Sequence, residues 1–154
     1  MDHQGIFSKY VRRHFSYLVD ELSYVLVEDQ YAKESSSCIV AFLNNWRHVR
    51  LIWGLKDTQL YFGIFRVMKD GKPARYADYS SDHFYIFSLA LFFEPQLDIR
   101  DLTSMDYDPI DPRILEAKVK GNAELLYKHG KEILKGGAWF DWQKEELIME
   151  PQGF

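Results

Sequence analysis

The sequence predicts an α+β domain: an antiparallel sheet of four or five strands in a meander, with an N-terminal helix and two C-terminal helices. Three observations carry this. Apolar residues recur at three- and four-residue spacing near the start of the chain, short β-rich runs with brief connections follow, and an Asp-Pro pair then opens a long helical pattern. The 154 residues suit one domain, 1–154, and would cramp two.

The elements follow in chain order. Over residues 6–22, Phe7, Tyr10, Val11, Phe15, Leu18, Val19 and Leu22 fall on one helical stripe, with Lys9, Arg12, Arg13 and Asp20 opposite. Residues 24–28 are short and β-branched, and 33–37 read as a turn. Strands are expected at 38–43, 49–55 and 60–68, separated by Asn44-Asn45 and Lys56-Asp57, whose side chains suit tight turns. Connections this short favour antiparallel pairing. Asp70-Gly71-Lys72-Pro73 is a further turn, followed by a short edge strand near 75–79.

Ser80-Ser81-Asp82 offers N-caps for an apolar helix running to Phe93, stopped by Glu94-Pro95. Asp111 as N-cap and Pro112 at the first helical position open the long helix, whose Leu115, Val119, Leu126 and Ile133 share a face. Gly136-Gly137 end it. Gly121 and Gly130 inside it predict close packing. A weakly ordered tail is expected over about 143–154.

The strand at 60–68 is apolar on both faces: Leu60, Phe62 and Ile64 on one, Tyr61, Phe65 and Val67 on the other. A sheet with one wet face alternates more cleanly, so a second layer, or a second chain in a homodimer, is expected over it.

Aromatic residues are 16% of the chain, enough for a bulky core or an aromatic-lined groove. Cys38, the only cysteine, lies in an apolar run and reads as a buried small hydrophobe. With no intrachain disulfide, no signal-peptide layout and no apolar run near 20 residues, a cytoplasmic protein away from membranes is expected.

Charge is unevenly spread. Residues 94–116 hold seven acids against Arg100 and Arg113, a net of −5 in a chain of net −4. No basic cluster of similar density occurs, which argues against nucleic-acid binding. The five histidines show no metal-ligand spacing, no phosphate-cradling or nucleophile motif appears, and no cofactor is implied. The run from Asp106 to Asp111 fails the calcium-loop pattern, with Ile110 at its fifth position and Ala117 at its twelfth.

No catalytic residue is assigned. The candidate binding residues are Asp101, Asp106, Tyr107 and Asp108 in the acidic stretch, with Trp139 and Trp142 after the long helix. Acidic residues steer a basic protein partner, and tryptophan and tyrosine supply the energetic centres of interfaces. The alternative for the tryptophans is a C-terminal lid on the sheet.

The element order, with Leu125-Leu126-Tyr127 and Ile133-Leu134-Lys135-Gly136 ending the long helix before Trp139 and Trp142, resembles small uncharacterised bacterial proteins. Some of these are similar to immunity proteins of polymorphic toxin systems. That resemblance implies an acidic, non-enzymatic protein that blocks a toxin by contact, and it carries no binding residues across. Two other readings stand beside it: a small enzyme or ligand-binding domain with an aromatic pocket between sheet and helices, using Asp106, Asp108 or His129, and a homodimeric structural protein.

Overall fold

The computed structural model describes residues 2–77, 80–105 and 111–150. It shows an α+β fold in which five strands form an antiparallel meander, β1 (Val25–Ala32), β2 (Ser37–Leu43), β3 (Arg47–Gly54), β4 (Gln59–Arg66) and β5 (His83–Tyr85), in sequential order. Helices α1 (His3–His14) and α2 (Ser16–Asp20) precede the sheet. After it come α3 (Ile86–Phe93), α4 (Ile99–Thr103) and α5 (Pro112–Leu134), and a hairpin of β6 (Ala138–Asp141) and β7 (Glu146–Met149) ends the described chain.

Alternation within the strands sorts the sheet into two faces. Cys38, Val40 and Phe42, Val49, Leu51 and Trp53, and Leu60, Phe62 and Ile64 enter one core with Phe7, Val11 and Phe15 from α1 and Leu115, Val119 and Leu126 from α5. Phe7 packs 6.0 Å from the Trp53 ring and 6.1 Å from Phe62. Asp29 on β1 fastens α1 to the sheet edge, accepting from Gln4 Nε2 at 2.8 Å and Ser8 Oγ at 2.7 Å.

The expected N-terminal helix is interrupted. The chain leaves helical geometry at Phe15, and the break turns Tyr17 toward α5, where its hydroxyl donates to the Ala123 carbonyl at 2.8 Å. The long helix ends as its glycines predict. The Gly137 amide donates to Glu132 O and the Gly136 amide to Ile133 O, with Gly136 at φ +83°, the paired bonds of a Schellman ending. A Cβ there would lie 2.7 Å from the Trp46 ring, so conformation and space both call for glycine.

Four further expectations change. Residues 75–77 carry no strand, and 78 and 79 lie outside the described residues; the edge strand is β5, whose His83 and Tyr85 pair with Phe65 and Gly63. Consequently α3 begins at Ile86, and the serines do not cap it: Ser80 Oγ accepts from the Asp82 amide instead. The acidic stretch is not all loop, because Asp98 accepts from the Arg100 amide and starts the helical turn α4. Residues 146–149 are a strand paired with β6. The reason is Glu150 just beyond it, which anchors that end to two arginines.

Candidate binding surface

Asp101 is exposed on α4, where Lys118 Nζ donates to the Arg100 and Asp101 carbonyls at 3.1 Å. Asp98 and Asp111 stand close by in sequence, each bonded to an arginine two residues on. Those bonds hold both carboxyls below the usual aspartate range. Asp101, Asp111, Arg113 and Lys118 line an open groove of about 550 Å³. Asp106, Tyr107 and Asp108 lie outside the described residues.

The two tryptophans part company. Trp139 is 1% exposed, its indole N–H donates to Ser81 O at 2.8 Å, and it belongs to the core. Trp142 is half-buried, donates to Ser80 O at 2.8 Å, and lines a groove of about 390 Å³ with Tyr76, His83, Phe84, Tyr85, Phe87 and Ser88. Asp101 and Trp142 line different grooves.

That second groove continues onto the outer face of the sheet, the one turned away from the core. Register builds this face row by row. Ile39, Ile52 and Tyr61 are neighbours across β2, β3 and β4; Ala41, Arg50, Gly63 and Tyr85 form the next row; Leu43, His48, Phe65 and His83 the third. Phe65 and His83 stack at 5.4 Å, Tyr76 lies 5.0 Å from His83, and Tyr85 stacks on Phe87 at 5.4 Å. At Gly63 the row has no side chain, and a Cβ would meet the Phe65 ring at 3.0 Å. The gap is the floor of a groove of about 300 Å³ walled by Arg50, Ile52, Tyr61, Phe65, Tyr76 and Tyr85. Tyr76 and Tyr85 line both grooves, which join them into one aromatic surface.

Charge at its margins is paired. Arg50 Nε meets Glu28 at 3.3 Å, and the Tyr61 hydroxyl donates to Asp57, a bond that pushes the phenol up to about 12. Burial, reinforced by Arg50, lowers the pKa of His48, so its ring is neutral at pH 7. The surface thus offers aromatic rings, one guanidinium and neutral hydrogen-bonding groups.

Two further histidines join helices to one another. His129 bonds Glu94 at 2.6 Å and stacks on Phe93 at 4.4 Å, joining α5 to the end of α3. His14 and Arg13 both bond Glu116, joining α1 to α5. Among the described residues no three His, Cys, Asp or Glu side chains gather as metal ligands. No helix among them is long and apolar enough to cross a membrane.

The sequence signal for the aromatic surface was the second apolar face of β4, with Tyr61 and Phe65. The part that signal leaves out is β5, because His83-Phe84-Tyr85 runs into an apolar stretch with a helical look. The aromatic run itself, with its strong β preference, is the clue. One of the two joined grooves lies on the outer face, and the other runs between β5 and Phe87 and Ser88 of α3. Comparison with known proteins finds no match: no family model fits the chain, and no curated protein or solved structure matches it.

Proposed function

We propose that this chain is a non-catalytic binding protein of the immunity or inhibitor type, acting in the cytoplasm by covering a functional surface of a basic protein partner. The observation that supports it is the aromatic outer face. Tyrosine, tryptophan and arginine are the residue types that concentrate binding energy at interfaces, and here Tyr61, Tyr76, Tyr85, Trp142 and Arg50 line two joined grooves. The acidic stretch supplies a different term. Carboxylates of that stretch, Asp101 exposed on α4 and Asp106 and Asp108 outside the described residues, would raise the encounter rate with a basic partner and act through rate more than affinity.

Affinity capture with the purified chain tests this reading. The wild type retains a basic protein, and the Tyr61→Ala/Tyr85→Ala double variant, at unchanged melting temperature, binds it at least about tenfold more weakly, the scale of a lost hot spot. Replacing Asp101, Asp106 and Asp108 by Asn slows association and flattens its salt dependence. Capture unaffected by the tyrosine substitutions contradicts the assignment of the surface.

A ligand-binding domain is the second reading, favoured by groove volumes of about 300 and 390 Å³, a scale typical of small-molecule sites. A homodimer through the same face is the third. Light scattering at micromolar concentration separates it, since a free monomer has a mass of 18.3 kDa and the dimer twice that.

A further inference from the structure

The two strands of the C-terminal hairpin differ in kind. All four residues of β6 are buried, whereas all four of β7 are exposed, Met149 by 76%. What holds β7 is main-chain pairing with β6 and the residue that follows it. The Glu150 amide donates to Gly137 O at 2.9 Å, and its carboxylate meets two guanidinium groups, Arg47 Nη2 at 3.2 Å and Arg66 Nη1 at 2.7 Å.

Those arginines face each other directly across β3 and β4, a repulsive placement that Glu150 relieves from between them, with Asp82 a second carboxylate 3.6 Å from Arg66 Nε. Both guanidinium carbons lie against the Trp139 indole, 4.9 and 4.5 Å from its centroid. Arg47 is 2% exposed, and its nitrogens donate to the carbonyls of Ile133, Trp46 and Ala138. Carbonyls orient a buried cation without neutralising it; the carboxylate does that. The side-chain bonds that orient Arg47 and the Trp139 indole run to Ile133, Trp46, Ala138 and Ser81 and use no β7 atom, although the main chains of Ala138 and Trp139 pair with Met149 and Ile148, so the two side chains keep these partners when the strand leaves. The connection at residues 142–145 is also strained, with Glu145 at φ +51° in the left-handed region.

We propose that Arg47, Arg66 and the Trp139 indole form a carboxylate-binding site that Glu150 fills from within the chain, and that release of β7 opens it to a carboxylate supplied from outside. The site is separate from the aromatic outer face and stands whether or not that face binds a partner. Its ligand class is a carboxylate group, read by two guanidinium groups of fixed orientation over an aromatic plane.

The test uses the full chain carrying Glu150→Ala. Its melting temperature falls by several degrees, and sodium acetate recovers at least half of the loss while sodium chloride at equal ionic strength does not. An unchanged melting temperature, or equal recovery in the two salts, overturns the proposal. Should that variant not fold, amide exchange in the wild type decides. Acetate speeds exchange of the Glu150 and β7 amides severalfold over chloride and leaves α5 unaffected, and equal rates in the two salts overturn the proposal.

Discussion

Cys38 and the two glutamates bonded to histidines respond to their surroundings in opposite directions. Cys38 has no solvent exposure, and burial pushes its thiol up to about 12. A thiol held neutral so far above physiological pH is a poor nucleophile. The native chain is expected to take up no thiol reagent at pH 8 and to react fully once denatured; rapid labelling of the native chain contradicts this. Glu94 and Glu116 are instead held below the usual glutamate range, the first chiefly by its bond from His129, the second by those from His14 and Arg13. A carboxyl whose folded pKa is depressed contributes stability that is complete above its unfolded value, about 4.5, and lost as pH falls through the lower folded value. The Glu94→Gln/Glu116→Gln variant is therefore expected to lose less melting temperature than the wild type on acidification below about pH 5. Asp98 and Asp111 retain part of the acid dependence in both proteins. An identical acid slope in the two shows that these pairs are not what the titration senses.

Within α5, one substitution made at two places has opposite consequences. A methyl group at Gly130 would lie 2.7 Å from Leu126 Cδ1 and 3.3 Å from Leu89 Cδ2, and both leucines are buried. At Gly121 nothing lies within 4 Å. Gly121→Ala is expected to stabilise by roughly 0.5–1 kcal/mol, the ordinary gain of alanine inside a helix. Gly130→Ala is expected to give no such gain and to cost up to about 2 kcal/mol, because overpacking opposes the propensity term. Denaturant melts of the two variants check the signs, and equal stabilisation by both contradicts the packing of α3 on α5. Helical spacing predicted the buried stripe of α5, but the close packing expected at both glycines holds only at Gly130, since Gly121 has nothing within 4 Å. The same limit applies to β5. Its three residues are too few for a period, and two of them belong to the apolar run over residues 84–93, which reads as helix. Only pairing with β4 shows otherwise.

Taken whole, the meander, its order and the long helix were legible because each rests on local chemistry: alternation, Asn and Asp turns, an Asp-Pro start and a Gly-Gly stop. What the sequence could not disclose depends on contacts distant along the chain. For Trp139 the sequence leaves open an interface residue or a lid on the sheet, and only the contacts with Arg47, Arg66 and Ser81 decide for the buried role; the tail likewise forms a strand through an anchor from Glu150 to residues about 84 and 103 positions earlier. The outer face was half visible, as a strand apolar on both sides. Its groove required Gly63, Tyr76 and Tyr85 to meet in space. The central claim is that this face is where a partner sits. It is tested most directly by mapping backbone and aromatic NMR shift changes when the captured partner is titrated in. The account predicts that they cluster at Arg50, Ile52, Tyr61, Tyr76, Tyr85, Phe87 and Trp142. Changes confined to the helical side, around Tyr10 of α1 and Tyr127 of α5, would contradict it.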